Sequence, residues 1–195
     1  MTFINYNTRE INFKIIYYGP AGSGKTRNLQ YIFENTSGEQ KGEMIRFSNG
    51  GERTCYFDFL PVFLGKIRGY QTRLHLYTVP GGVLHDTQRN LLFKGLDGIV
   101  FVADSRPSML TANQTSLNNL HQNLAAFRYR IESIPHVFQF NRRDADEAVP
   151  VEELALLLNK HQAPEFAANA KAGEGVLETL KRISGMVLSN ISRNK

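Results

Sequence analysis

The hydrophobic and polar positions along this chain form two alternating patterns. Short apolar runs predict buried strands, whereas apolar residues spaced three or four apart predict amphipathic helices. The predicted strands are residues 11–18, 55–60, 72–79, 97–104, 136–141 and 166–168. The predicted helices are residues 25–34, 110–127, 151–160 and 176–191. Alternation of this kind predicts one α/β domain over residues 1–195, with a mixed, mostly parallel sheet of about six strands and helices on both faces.

Two segments lack both patterns and are predicted to connect elements. Residues 36–54 are polar and rich in glycine, which predicts a mobile connection. Residues 65–69 begin and end with glycine, which predicts a turn between the second and third strands.

The composition narrows the class of protein. A chain of 195 residues with 42% hydrophobic and 21% charged residues is typical of a globular domain. The net charge of +5 is scattered along the chain, so we expect no nucleic-acid partner. Cys55 is the single cysteine, which favours a reducing compartment. The chain has no signal-peptide pattern, no membrane-length apolar run and no lipidation motif, so we expect a cytoplasmic protein without a direct lipid anchor.

One segment matches the phosphate-loop pattern G-x-x-x-x-G-K-[ST] between a predicted strand and a predicted helix. Its residues are Gly19, Pro20, Ala21, Gly22, Ser23, Gly24, Lys25 and Thr26. Glycines let backbone N–H groups surround phosphate oxygens where a Cβ would block the approach. Lys25 is predicted to reach the β- and γ-phosphates, and the Thr26 hydroxyl is predicted to ligate Mg²⁺. The alternative is an ordinary glycine-rich turn between a strand and a helix.

Two later segments bear on the choice of base. Asn141, Arg142 and Asp144 form an N-x-x-D pattern directly after a predicted strand. A carboxylate accepts hydrogen bonds from guanine N1–H and the exocyclic amine, whereas adenine presents a lone pair at N1. Taken alone, the pattern is equally compatible with a loop of helix-capping residues. The segment Asn169-Ala170-Lys171 is similar to the S-A-K loop of Ras-like GTPases, in which the alanine N–H reads guanine O6. The two segments together favour GTP or GDP as the ligand.

Beyond these motifs, the chain resembles the MglA family of bacterial gliding and polarity GTPases. The similar segments are residues 3–6, 17–20, 53–54, 57–61, 75–81 and 101–105, and the resemblance covers nearly the whole chain. It implies a Ras-like P-loop fold and a cytoplasmic polarity switch that recruits effectors when GTP is bound. It also implies a roadblock-type, MglB-like activating protein and response-regulator-like polarity partners, which would recruit the switch to a cell pole.

The resemblance assigns roles to two switch segments, one around Thr54 and one that includes residues 78–81. It implies that Thr54 holds the γ-phosphate and Mg²⁺, and that Arg53 is an internal arginine finger; a strand-initiating threonine and a solvated loop arginine are the alternatives. The usual D-x-x-G is replaced by residues 78–81, which begin with Thr78 and end with Gly81. This change removes the carboxylate that normally supports Mg²⁺. Asp58 is a candidate replacement, although its position in a strand favours a side chain that faces solvent.

Other departures from the Ras pattern affect the predicted chemistry. Gly82 stands where a glutamine normally orients the attacking water, and Ala21 stands where the phosphate loop usually has a glycine. Both changes predict GTP binding with slow or negligible hydrolysis, unless His85 or Gln88 supplies the missing group. Arg142 replaces the lysine of N-K-x-D, which predicts somewhat weaker affinity and an unchanged base preference.

Two other classes of function are compatible with parts of the sequence. The first is a non-cycling scaffold that binds polarity partners while locked by nucleotide. The second is a kinase or ATPase that uses adenine nucleotides, which the N-x-x-D pattern opposes.

Overall fold

The computed structural model describes residues 3–48, 55–80 and 86–193. Within these residues the chain forms eight strands and five α-helices. The strands are β1 (Phe3–Asn5), β2 (Glu10–Tyr18), β3 (Ile45–Ser48), β4 (Cys55–Ile67), β5 (Tyr70–Thr78), β6 (Gly98–Asp104), β7 (His136–Asn141) and β8 (Glu165–Ala167). The helices are α1 (Lys25–Asn35), α2 (Asp86–Phe93), α3 (Leu110–Ala126), α4 (Val151–Leu158) and α5 (Val176–Arg193). None of the described helices is both long and apolar enough to cross a membrane.

The strands form one 8-stranded sheet in the order β3-β4-β5-β2-β6-β7-β8, and β1 pairs with β2. Strands β5, β2, β6, β7 and β8 are parallel. Strands β1, β3 and β4 pair antiparallel with their neighbours. The predicted α/β class with a mixed, mostly parallel sheet is confirmed, and the strand count exceeds the predicted six because β1 and β3 are short antiparallel additions.

The segment 36–54 is more ordered than its polarity suggests. It contains a 3-10 turn at Gly38–Gln40 and the strand β3, which pairs with β4 in the register Ile45↔Phe59. The description of 36–54 as a connection therefore needs correction over 45–48, where pairing with β4 forms a short edge strand. Residues 49–54 lie outside the described part of the chain.

Strands β4 and β5 form a long hairpin that continues through most of the predicted 65–69 turn. Ile67 pairs with Tyr70, so the loop is only Arg68 and Gly69. Both have positive φ, at 51° and 83°, which is the conformation of a type I′ turn. Gly65 instead follows a register shift in β4, which marks a bulge in that strand. The turn is therefore shorter than predicted.

Helices cover both faces of the sheet, as predicted. On one face, α1 and α5 contribute Leu29, Ile32, Val176, Ile183 and Val187 to an apolar cluster. On the other face, α2, α3 and α4 contribute Leu92, Phe93, Leu120, Leu124, Leu154 and Leu158. The parallel strands direct their carboxyl ends to one edge, and the loops that follow β2, β7 and β8 meet there.

Candidate functional site

The phosphate loop joins the carboxyl end of β2 to the amino end of α1. Gly24, directly before α1, has φ = 100°, and a Cβ there would collide with the side-chain amide of Asn141. Gly22 has φ = 77°, and a Cβ there would meet nothing within 4 Å, so the tip of the loop is open on that side. The Ser23 hydroxyl is buried and has no hydrogen-bond partner among the described residues. The loop is a backbone concavity in which Gly24 has no space for a side chain.

Lys25 lies within this concavity. Its ammonium donates hydrogen bonds to the carbonyl oxygens of Gly19, at 2.8 Å, and Pro20, at 2.7 Å. Burial lowers the pKa of Lys25 to about 8, against the nearby charge of Asp58, which acts to raise it. The loop therefore contains a cation that is poorly solvated and that an anion would stabilise.

A buried carboxylate connects the phosphate loop to the sheet. Asp58 of β4 is only 3% exposed, and its Oδ2 accepts hydrogen bonds from the Thr26 hydroxyl at 2.5 Å and the Thr78 hydroxyl at 3.0 Å. Thr78 Oγ1 also accepts a hydrogen bond from the Asp58 N–H at 2.7 Å. The expectation that Asp58 faces solvent was wrong, because α1 covers the face of the hairpin from which Asp58 projects. Arg46 of β3, which we did not predict at the site, places its Nε 3.7 Å from Asp58 Oδ1.

Asn141, at the end of β7, holds two loops together. Its Nδ2 donates to the Ser23 carbonyl at 2.6 Å, and its Oδ1 accepts from the Ala170 N–H at 2.8 Å. Arg142 has φ = 66° and donates from Nη2 to the Gly22 carbonyl at 3.3 Å. The N-x-x-D segment therefore contacts the phosphate loop directly, and the Asn169–Lys171 segment is joined to that loop through Asn141.

Asp144 is exposed, one turn beyond the end of β7. A carboxylate at the surface can accept hydrogen bonds from a ligand without a prior cost of burial.

The loop formed by residues 169–175 is held by its own hydrogen bonds. Asn169 Oδ1 accepts from the N–H groups of Lys171, at 3.2 Å, and Ala172, at 3.3 Å. The Asn169 N–H donates to the Glu174 carbonyl at 3.0 Å. The Asn169 side chain therefore closes this loop.

Helix α1 packs directly on this loop. Gly173 has φ = 91°, and a Cβ there would collide with the ring of Tyr31. Arg27 Nη2 donates to the Lys171 carbonyl at 3.3 Å. Neither Tyr31 nor Arg27 was predicted at the site, and the available signal was that both lie on the phosphate-loop helix.

These features fit a phosphate ligand with a hard divalent cation. No side chain in the described part of the chain caps α1, so the N–H groups of its first turn are available to an anion. The Thr26 hydroxyl and the Asp58 carboxylate offer oxygen ligands, which Mg²⁺ prefers. The described residues contain no cluster of three His, Cys, Asp or Glu side chains suited to a metal. A Mg²⁺ ion here would complete its coordination with phosphate and water, as Mg²⁺ commonly does.

Several predicted residues lie outside the described part of the chain. These are Arg53, Thr54, Gly81, Gly82 and His85, and for Gln88 only the backbone, in α2, is described. The roles predicted for them stay predictions.

The comparison with curated proteins gives a full-length match. No model of a known protein family matches the chain. The chain is 52% identical over 193 residues to the mutual gliding-motility protein MglA of Myxococcus xanthus (strain DK1622). The aligned region covers 99% of this chain and 99% of that protein.

Proposed function

Since the chain belongs to the MglA family, we propose that it binds GTP or GDP with Mg²⁺ and acts as a Ras-like switch in the control of cell polarity or motility. The observation that carries the proposal is the position of Asn141, which hydrogen-bonds to both Ser23 and Ala170. A phosphate loop and a guanine-type loop that share one buried asparagine suit a ligand with a purine at one end and phosphates at the other.

In this proposal the phosphates lie in the loop of residues 19–26. Lys25 supplies the cation, and the N–H groups of the loop and of α1 supply hydrogen-bond donors. Thr26 and Thr54 ligate Mg²⁺, which when bound neutralises charge on the β- and γ-phosphates. Asp58 supports the metal side of the site through Thr26, in place of the carboxylate missing at Thr78.

The base is proposed to lie between two loops. Asp144 accepts hydrogen bonds from guanine N1–H and the exocyclic amine. The loop of residues 169–175 faces guanine O6 at Ala170. Arg142 covers the base with its planar head group. Asn169, Lys171 and Gly81 complete the nucleotide contacts that the family resemblance implies.

Hydrolysis is proposed to be slow. Ala21 places a methyl group beside the γ-phosphate, and Gly82 lacks the amide that would orient water. Loss of one preorganised polar contact typically costs about 10²–10³ in rate. Arg53 would supply transition-state stabilisation, the role that the family resemblance implies for it.

The switch is proposed to act in the cytoplasm through partners that read its nucleotide state. A roadblock-type, MglB-like activator and response-regulator-like polarity effectors would bind its switch segments and direct it to a cell pole. Ala21 and Gly82 also favour a second candidate function, in which the protein is a nucleotide-bound scaffold that does not cycle.

Nucleotide content and turnover test both candidates. Chromatography of nucleotide extracted from freshly purified protein should give GTP or GDP and no adenine nucleotide. Single-turnover hydrolysis should be slow in the wild type and faster in Ala21→Gly/Gly82→Gln. A switch should also be accelerated by a roadblock-type activator, whereas a scaffold should keep its GTP. Absence of guanine nucleotide binding at millimolar concentration with Mg²⁺ would refute both.

A further inference from the structure

Three polar side chains lie in the core beneath the two nucleotide-binding loops. They are Asn28 of α1, Gln139 of β7 and Thr179 of α5, and each is 0% exposed. They occupy the sheet face that α1 and α5 cover, where the surrounding cluster is apolar. Buried polar side chains cost free energy unless they are hydrogen-bonded, so their partners are informative.

The three side chains form a continuous hydrogen-bonded chain. Gln139 Nε2 donates to Asn28 Oδ1 at 3.0 Å and to Thr179 Oγ1 at 3.1 Å. Asn28 Nδ2 donates to the Gly24 carbonyl at 3.1 Å, and the Thr179 hydroxyl donates to the Gly175 carbonyl at 2.5 Å. One amide group of β7 therefore connects the residue before α1 with the residue before α5.

Both ends of this chain lie at the edges of the proposed nucleotide site. Gly24 is the phosphate-loop residue directly before α1, Gly175 ends the loop of residues 169–175, and both have left-handed φ, at 100° and 71°. A displacement of either helix start would move the loop that precedes it.

Gln139 and Asn141 lie on the same face of β7, and each joins a segment near α1 to a segment near α5. Alternate residues of a strand share a face, so both side chains project toward α1 and α5. Asn141 joins the Ser23 carbonyl to the Ala170 N–H at the rim, and Gln139 joins the starts of the two helices one residue pair deeper.

The hydrogen bonds of Asn28, Gln139 and Thr179 are not needed to pair the backbone carbonyls that they reach. The Gly24 carbonyl already accepts from the Asn28 N–H at 2.9 Å, and the Gly175 carbonyl already accepts from the Thr179 N–H at 3.1 Å. Apolar side chains could therefore replace all three polar ones without leaving a buried backbone group unpaired. The hydrogen-bonded chain specifies the relative position of two helix starts, which generic apolar packing would define less sharply.

We propose that Gln139 is a positioning residue that fixes the phosphate loop relative to the 169–175 loop, so that one nucleotide can engage both. This inference rests on the proposed guanine nucleotide site. In this proposal Asn28 connects Gln139 to the start of α1, and Thr179 connects Gln139 to the start of α5. Gln139 lies in the core and acts on the nucleotide through these two residues.

Two variants test the inference on the full chain. Gln139→Met removes both hydrogen bonds that Gln139 donates. The triple variant Asn28→Leu/Gln139→Leu/Thr179→Val replaces all three polar side chains with apolar ones. Ser184→Ala is the matched control, because Ser184 is another buried hydroxyl of α5 that donates to a backbone carbonyl, that of Leu180.

The first readout is release of a fluorescent GDP analogue. Both test variants should release it about tenfold faster than the wild type, the effect of one or two buried hydrogen bonds, while Ser184→Ala releases it at the wild-type rate. Affinity for Mg²⁺–pyrophosphate should stay within about twofold of the wild type, because this probe engages the phosphate loop alone. Unchanged GDP release, or equal losses for GDP and pyrophosphate, would overturn the inference. A triple variant that does not fold would also overturn it.

The second readout separates this inference from the nucleotide site. Amide hydrogen exchange of the nucleotide-free protein should be faster in both 19–24 and 169–175 in the test variants than in the wild type and Ser184→Ala. If the wild type binds no guanine nucleotide, the proposed function fails, and this exchange measurement decides the positioning role by itself. Faster exchange in one loop only, or in neither, contradicts it.

Discussion

At the scale of single residues, the carboxylate of Asp58 organises one side of the site. It accepts hydrogen bonds from two hydroxyls that come from distant parts of the chain, Thr26 and Thr78. Its burial leaves little room for a second negative charge beside it. A hydroxyl at Thr78 is therefore compatible with the buried Asp58 carboxylate, to which it donates a hydrogen bond.

Exchange of these two side chains gives a direct prediction. Thr78→Asp should lower the free energy of unfolding by about 1–3 kcal/mol at pH 7, because two carboxylates would share a pocket closed to solvent. The exchange variant Asp58→Thr/Thr78→Asp should recover most of the loss, since it restores one acid and one hydroxyl. Urea denaturation measures both.

The pH dependence provides the control for this exchange. Repulsion raises the pKa of one carboxyl in Thr78→Asp, so the folded state binds a proton more readily than the unfolded chain. The deficit should therefore shrink as the pH falls from 7 to 5. A Thr78→Asp variant as stable as the wild type at pH 7 would show that the pocket accommodates two charges.

Nucleotide binding is predicted to depend on pH through Lys25. Its pKa of about 8 lies below the 10.5 of an ordinary lysine, so at pH 8 about half of the nucleotide-free protein lacks the ammonium that phosphate requires. Titration calorimetry in buffers of different ionisation enthalpy should detect uptake of about half a proton per GDP at pH 8, and about a tenth at pH 7. Equal uptake at the two pH values would contradict the prediction.

The same shift affects stability. Between pH 8 and 10.5 the unfolded chain binds more protons at this lysine than the folded protein does. The contribution of Lys25 to the stability of the nucleotide-free protein should therefore rise with pH across that window.

At the scale of secondary-structure elements, the hairpin of β4 and β5 depends on two residues with positive φ. Gly69→Ala should lower the free energy of unfolding by about 1 kcal/mol, because alanine is strained at φ = 83° although nothing lies within 4 Å of its Cβ. Arg68→Asn should raise it by about 0.5 kcal/mol, since asparagine tolerates φ = 51° better than arginine. Chemical denaturation should give effects of opposite sign at these adjacent positions. Effects of the same sign would rule out a type I′ turn.

Elements with a strong local signal were predictable, and those that depend on partners were not. The predicted strands 97–104 and 136–141 correspond to β6 and β7, in which every residue is buried, as expected from their largely apolar sequences. Strand β3 has only four residues, whose alternation is too short to identify a strand without the pairing with β4. The hairpin turn depended on Arg68, a residue with no intrinsic turn preference.

The candidate site divides in the same way. The phosphate-loop pattern and Asn141 could be identified as candidates because each belongs to a contiguous motif that follows a strand. Asp58 lies between Phe57 and Phe59 in an alternating strand, so its sequence neighbours suggest a solvent-facing position, while its partners lie 32 and 20 residues away. Contacts of that kind arise only from the packing of α1 on the sheet.

At the scale of the whole molecule, nucleotide should stabilise the fold. The two loops precede α1 and α5, so a ligand that joins them also holds both helices on one face of the sheet. A ligand present at 100 times its Kd adds about 2.7 kcal/mol. For a chain of this size that corresponds to a rise in Tm of about 5–10 °C.

Thermal denaturation with Mg²⁺ and either GDP or ADP measures this effect. GDP should give the full shift, and ADP at the same concentration should give less than about 2 °C. Asp144→Ala should reduce the GDP shift, whereas Asp146→Ala, a neighbouring exposed acid in the same loop, should not. An equal shift with ADP would argue against guanine selection by Asp144.

The contact of Tyr31 with Gly173 has a practical consequence for spectroscopy. The sequence contains no tryptophan, so an indole introduced as Tyr31→Trp would be the single strong near-ultraviolet emitter in the protein. It would pack against the loop of residues 169–175, which the base is proposed to contact. Its emission wavelength would depend on how closely that loop covers it. Binding and release could then be timed with unlabelled nucleotide.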